Sequence, residues 1–368
     1  ELTKKWVDRF ATRSDLEAVC RYFRVNRAFF VPKMSDSVQK TKDGVVDPAT
    51  GQAVDGVPQW RLCEHMSSPR GESLNEATQM GIEIAGKFKF QDVDDAAAAV
   101  QQRHDAGRGV ELWKADESGA YRNYPIACSD RPSFVLFGLD PSKPFPAEAD
   151  LNVDAEGNVH LKREQCCYMM RNTLPFGWAK SVAWYWRTAR LVQAAHLSPV
   201  TPLRTNVPAW AHTTLRYIDD TLGVCAEGWG EASKQRFIEA LVRYNIPLSL
   251  EKDEEEGDVA SFKSYLGILI DSVSLTLAIT PARLREGLAR LRSAAAKAFL
   301  PRKELESLCG VLSFCAKCTP AGRTFMRRMF DSLKRRTRFT RLSRGIKADI
   351  AWWLQHWESM NGVALVMD

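Results

Sequence analysis

The sequence predicts an α+β fold in which a mixed body of strands and helices leads into a helical C-terminal module. Three observations predict it. Short apolar and β-branched runs alternate with helix-period segments through the first two thirds of the chain. From Thr280 onward helical periods follow one another, and no internal repeat organises the chain as a solenoid. At 368 residues the chain can bury a substantial core and divide into two or more subdomains.

Each element has its own signal. Residues 1–27 read as helical, with Ser14-Asp15-Leu16-Glu17 opening a helix that continues through Val19, Cys20, Tyr22 and Phe23. Residues 28–33 are strand-like, and 34–58 form a loop or long hairpin around the turn cluster Asp47-Pro48-Ala49-Thr50-Gly51. A strand returns at 60–65. Four consecutive alanines support a helix over 94–102. Strands follow at 110–115 and 134–138, then an acidic insertion at 139–164 with a hairpin over 152–160. Helices are predicted at 181–193 and 231–244, with strands near 247–250 and 264–270. The helical module comprises 281–299, 303–317, 322–333 and 346–358. Within it Trp352, Trp353 and Trp357 have the spacing of a core face rather than of a base-stacking platform.

Bulk composition sets limits. The hydrophobic share of 45% and charged share of 26% are ordinary for a globular chain. A net charge of +6 permits polyanion binding without requiring it. No apolar run reaches membrane-spanning length, so no membrane partner is expected; the expected place of action is intracellular, cytoplasmic and/or nuclear. The 9 scattered cysteines suggest free thiols in a reducing compartment. Cys315-Ala316-Lys317-Cys318 lacks a second ligand pair, which favours helix packing over zinc. The start at Glu1, with neither Met nor signal peptide, reads as the interior of a longer product or a trimmed piece.

The chemistry concentrates in carboxylates. Tyr217-Ile218-Asp219-Asp220 lies between two short strands, a hairpin whose tip presents an acidic pair. Asp116 ends another strand-like run, Leu112-Trp113-Lys114-Ala115-Asp116. Three carboxylates on neighbouring strands are the minimum for holding two magnesium ions, with manganese as a substitute, for nucleotidyl transfer. Alone, the Asp219-Asp220 pair also reads as a solvated turn.

Its company is specific. The motifs from about Phe29 to Gly267 resemble, in order, those of reverse transcriptases. Lys114 to Tyr121 resembles the first palm motif, Asn172-Thr173-Leu174-Pro175-Phe176-Gly177 the second, and Tyr217 to Asp220 the third. Phe29-Phe30-Val31-Pro32-Lys33 and Trp60-Arg61-Leu62 resemble the fingers strands, and Ser264-Tyr265-Leu266-Gly267-Ile268 the primer grip. Glu64 to Asn75, Asp94-Asp95-Ala96 and Trp352 to Gly362 are similar to the DIRS (tyrosine-recombinase) retroelements. In that group an RNase H domain follows, and Asp368 resembles the Asp of its first strand. The full-length product would then carry RNase H.

The resemblance implies a right-hand polymerase. Residues 1–27 would be an N-terminal helical extension, 28–108 and 127–170 fingers, 109–126 and 171–276 palm, 277–345 thumb, and 346–368 the start of a connection. It implies that Asp116 and Asp219 are bridging metal ligands, Asp220 the weaker third carboxylate, and Glu117 a ligand through its backbone carbonyl only. Lys33 and Arg61 would grip the incoming deoxynucleoside triphosphate, Tyr121 would exclude a 2′-hydroxyl, and Phe176 and Gly177 would touch nucleotide or template. Leu266 and Gly267 would form the primer grip. Lys252 resembles the lysine that protonates pyrophosphate, although Asp253-Glu254-Glu255-Glu256 makes a solvated loop an equal reading. Arg323, Arg327, Arg328, Lys334, Arg335 and Arg336 head a basic stretch that suits an RNA or DNA template with its primer, or else a solvated basic face. Two rivals stand beside DNA synthesis: an RNA-dependent RNA polymerase of the same palm type, and a domesticated, non-catalytic nucleic-acid-binding protein. Glu117 departs from the apolar residue usual after the first aspartate, and alternation along the strand turns it to the opposite face.

Overall fold

The computed structural model describes residues 7–32, 34–35, 38–39, 41–42, 45–46, 53–54, 57–58, 60–67, 73–76, 89–140, 142–143, 152–153, 159–160, 162–250, 253–254, 257–335 and 337–365. The fold is mixed α+β and divides into two compact units. One comprises Glu1–Lys89 and Gly119–Leu191, the other Phe90–Ser118 and Val192–Asp368.

The first unit is built on a sheet with strand order Val7–Phe10, Cys166–Arg171, Val135–Leu139, Val25–Pro32, Trp60–His65. Neighbours are antiparallel except Val135–Leu139 beside Val25–Pro32. The helix Arg13–Val19 starts at Thr12, whose hydroxyl accepts from the Asp15 N–H while the Asp15 carboxylate accepts from the Thr12 N–H. Its Leu16 packs with Val135 and Met170. The all-helical reading of 1–27 is thus corrected. Residues 7–10 pair with 168–171, the cap is Thr12 rather than Ser14, and Val25 already belongs to the next strand. Four residues with apolar ends, Val7-Asp8-Arg9-Phe10, are too few to distinguish a strand from a helical turn by period. Between 41 and 58 the pairs Thr41–Lys42 with Val57–Pro58 and Val45–Val46 with Ala53–Val54 nest as a long hairpin, one of the two forms expected for 34–58. Asn152–Val153 likewise pairs with Val159–His160.

In the second unit, three antiparallel strands run in the order Val110–Asp116, Asp220–Ala226, His212–Tyr217. Alternation gives this sheet two faces. On one, Val110, Leu112, Leu215, Leu222 and Val224 meet Val93, Ala96, Ala97 and Val100, the inner stripe of the helix Val93–Asp105. On the other, Trp113 lies across its ladder partner Gly223, where a Cβ would stand 2.0 Å from the indole. Only glycine admits that ring.

The expectation of an appended helical module changes here. Tyr265, Ile268 and Ile279 of a second sheet belong to the same buried cluster as Leu112. So do Leu291, Leu312, Ile350, Trp353 and Trp357 of the helices Pro281–Ala295, Arg302–Cys315 and Arg344–Met360. One core therefore runs from sheet to helices. The helical third also contains a strand pair, Phe299–Pro301 with Phe339–Arg341, that helical period did not reveal. Residues 247–250 give only an isolated bridge, Glu117 to Leu248. Cys315 and Cys318 are packed thiols that burial pushes up to about 12, in keeping with a structural role. Among the described residues no helix is long and apolar enough to cross a membrane.

Candidate active site

The strands His212–Tyr217 and Asp220–Ala226 are joined by two residues, Ile218 and Asp219, with Tyr217 opposite Asp220. Ile218 has a φ of +55°, a left-handed conformation that a β-branched side chain seldom adopts. A positive φ at the first loop residue matches the twist of the flanking strands and makes a tight hairpin. Asp219 stands on this loop and Asp220 opens the next strand. Across the ladder, Asp220 pairs with Asp116. Residues directly opposite have Cβ atoms about 4.5–5.5 Å apart and share a face, so two carboxylates confront each other there. Like charges so placed are destabilising until a cation separates them.

Glu117 turns to the opposite face, as alternation requires. It forms an ion pair with Arg216, and both side chains are almost wholly buried, at 1% and 0% exposure. The Arg216 N–H donates to the Gln91 side-chain oxygen at 3.1 Å, and Gln193 donates to the same oxygen at 2.9 Å. The Gln91 N–H returns a bond to the Arg216 carbonyl, and the Tyr265 hydroxyl donates to the Gln91 carbonyl at 2.7 Å. This network braces the edge strand that ends in the acidic loop. Sequence reasoning missed it. Its one available signal was Glu117 standing where an apolar residue is usual, with Arg216 just ahead of the acidic loop; Gln91 and Gln193 carried none.

Leu266 and Gly267 form the tight turn between Phe262–Tyr265 and Ile268–Asp271, with φ of +54° and +83°. Two successive left-handed residues are the pattern of a two-residue hairpin, and a leucine in the first position hid the turn inside one apparent strand over 264–270. The turn lines a cleft of about 550 Å³ together with Lys114, Tyr217, Asp220 and Arg283. Arg283 lies over the Phe314 ring at 5.1 Å, and Lys317, also lining the cleft, pairs with Asp94 at 2.6 Å.

The donor set around the acidic loop is all carboxylate oxygen, which suits magnesium or manganese better than zinc. Among the described residues no group of three or more His, Cys, Asp or Glu side chains is gathered into a ready cage. Magnesium is commonly held by one or two carboxylates plus substrate phosphates, so Asp116 and Asp220 with the adjoining Asp219 remain a fitting set.

Tyr121, Phe176 and Gly177 belong to the first unit. Tyr121 is buried, its ring 5.1 Å from Phe176 and 5.3 Å from Tyr185. Gly177 has φ +107°, and a Cβ there would meet the Glu64 carbonyl oxygen at 2.0 Å. Its glycine is thus required by the close approach of the Trp60–His65 strand. Asn75 donates to the Gly177 carbonyl and accepts from the Ala179 N–H, both at 2.8 Å, fastening the turn to the start of the helix Ala179–Leu197. Beneath it, Glu64 pairs with buried Arg171, and burial pushes the Glu64 carboxyl up to about 7. Burial also pushes the neighbouring Arg122 guanidinium down to about 9.

Lys33, Lys252 and Arg336 lie outside the described residues. Arg61 is placed by its backbone, on Trp60–His65 opposite Val31; its side chain is outside the described residues. Arg323, Arg327, Arg328, Lys334 and Arg335 are exposed. Arg327 and Lys334 share Asp331, and Arg328 holds the buried Asp349 at 2.5 Å.

No protein-family model and no curated protein matches the sequence. Among solved structures, the chain is similar to foamy viral protease-reverse transcriptases. The form named dRH in complex with double-stranded DNA is 14% identical with a TM-score of 0.48, over 89% of this chain and 45% of that one. The complex with RNA/DNA hybrid gives 13% and 0.47, over 89% and 34%. A further complex with double-stranded DNA gives 14% and 0.44, over 89% and 54%. The chain therefore spans about half or less of the structures it matches, and at these scores the likeness is a loose one.

Proposed function

We propose that the chain is a reverse transcriptase of DIRS-like type, a right-hand polymerase with fingers, palm and thumb that extends a primer on RNA or DNA templates inside the cell. The observation that carries this reading is the ladder register opposing Asp116 to Asp220, with Asp219 on the adjoining loop. The order of the motifs around these residues supports it. Asp116 and Asp219 would hold two magnesium ions, with Asp220 and the Glu117 carbonyl in support. When bound, such ions supply the positive charge that activates a 3′-hydroxyl and neutralises a leaving pyrophosphate.

The other roles fall to the chain's own groups. Lys33 and Arg61 grip the triphosphate. The Tyr121 ring closes the space under the sugar against a 2′-hydroxyl, while Phe176 and Gly177 meet the nucleotide or template. The Leu266-Gly267 turn holds the primer end, Lys252 protonates the leaving group, and the exposed cations near 323–336 bind duplex phosphates.

A magnesium-dependent primer-extension assay tests the reading. Asp219→Asn should abolish extension while leaving primer–template binding intact. Deoxynucleotides should be incorporated in preference to ribonucleotides. Ribonucleotide preference would instead mark an RNA polymerase. Duplex binding without extension in the unsubstituted protein would mark a non-catalytic binding protein.

A further inference from the structure

The strand pair in the helical third presents exposed rings that the polymerase reading does not use. Phe299–Pro301 and Phe339–Arg341 are antiparallel, with Phe299 opposite Arg341 and Pro301 opposite Phe339. Alternation turns Leu300 and Thr340 inward, where they are buried, and turns these four residues outward together. Phe299 is 54% exposed and Phe339 53%. Arg338 lies over the Phe339 ring at 5.7 Å. Among the described residues no ion pair engages Arg338 or Arg341.

The ribbon is held firmly. The Leu342 N–H donates to the Ala298 carbonyl and the Arg302 N–H to the Arg338 carbonyl, both at 2.9 Å. The Arg302 guanidinium also donates to the Leu333 carbonyl at 2.8 Å. Two half-exposed phenylalanines would ordinarily be a liability on a rigid ribbon. Flanked by arginines that have no acidic partner among the described residues, they instead match a polyanion that carries flat apolar rings. A nucleic-acid duplex would answer the charge but keep its own bases stacked inside, whereas a single strand offers the charge and unstacked flat rings together.

We propose that this ribbon is a binding site for single-stranded nucleic acid, with bases stacking on Phe299 and Phe339 and phosphates meeting Arg338 and Arg341. The site depends on no metal and on no polymerase activity. A fluorescein-labelled 12-nucleotide oligo(dT) and a 12-base-pair duplex serve as probes, together with an oligonucleotide carrying 5-iodouracil for photo-cross-linking. Phe299→Ala/Phe339→Ala should weaken oligo(dT) binding about tenfold or more while duplex binding stays within about twofold. Arg338→Gln/Arg341→Gln should flatten the dependence of log affinity on log salt for the single strand by about 1.4. Cross-links should map to peptides containing Phe299 or Phe339. Both side chains are exposed, so thermal unfolding should be unchanged by their replacement. Cross-links mapping only elsewhere, or an equal loss of single-strand and duplex binding, would overturn the site. Primer extension measured on the same variants reads the polymerase proposal separately.

Discussion

At the scale of residues, the acidic loop depends on side chains that never face it. Arg216 and Glu117 are both buried, so removing one takes from the other its ion-pair partner in the interior. Arg216→Met should cost about 3–5 kcal/mol, and Arg216→Met/Glu117→Leu should recover most of it, because an apolar pair fills the space without desolvating ions. Denaturant unfolding of the two variants checks this, and a double substitution no better than the single would reject it. A second buried group sets acid sensitivity. Burial pushes His212 down to about 4, helped by Arg236 and Arg103. His196 lies 4.6 Å away ring to ring and is held well below the usual imidazole range by burial, then by His212 and Arg236. With a depressed imidazole pKa the unfolded chain takes up the proton first, so stability falls as pH drops below about 6.5. For His212 the loss between pH 7.5 and 5 is about 2 kcal/mol. His212→Gln should lose that much less over the same range, and parallel stability–pH curves for the two proteins would rule it out.

At the scale of elements, the acidic hairpin is set by its two-residue loop. Ile218 at φ +55° is tolerated because the strands on either side pair fully, from His212–Cys225 to Tyr217–Asp220. Ile218→Pro, locked near φ −65°, cannot make this loop and should cost about 3 kcal/mol or more. Ile218→Gly should stay within about 1 kcal/mol, since relief of the left-handed strain offsets the greater freedom of the unfolded chain. Equal stabilities for the two variants would show that the loop is not what fixes the hairpin. The same elements show what was legible in the sequence. The alternation around Tyr217 to Asp220 and the helical stripe Val93, Ala96, Ala97 and Val100 announce their structures, since one apolar face suffices to specify each. Strand Val7–Phe10, the Leu266-Gly267 turn and the Phe299–Phe339 ribbon do not. Each is short and is fixed by partners far along the chain, or by a backbone conformation that its side chains do not signal. The carboxylates Asp116, Asp219 and Asp220 were legible as chemistry; their Gln91 and Arg216 support was not, because buried polar networks have no period.

At the scale of the whole molecule, neither unit is a continuous stretch, and the chain passes between them after Lys89, Ser118 and Leu191. The second unit draws the strand Val110–Asp116 and the helix Val93–Asp105 from residues 90–118, and its remaining elements from 192–368. Leu112, Ala96 and Val100 are fully buried in the cluster that also holds Leu222, Val224 and Trp353. Residues 192–368 alone would expose the central strand Asp220–Ala226 along one edge and the inner faces of Leu222 and Val224. An unpaired edge beside bare apolar surface is a poor basis for a cooperative fold. The fragment 192–368 should therefore melt without a sharp transition and bind a hydrophobic dye. Joining 90–118 to it through a flexible linker should restore a sharp transition in circular dichroism and abolish the dye signal, because it returns the ladder partner of Asp220 together with the helix that covers the sheet. If the fragment alone melts as sharply as the joined chain, the core does not run through both segments, and the Asp116–Asp220 register would lose its structural reason.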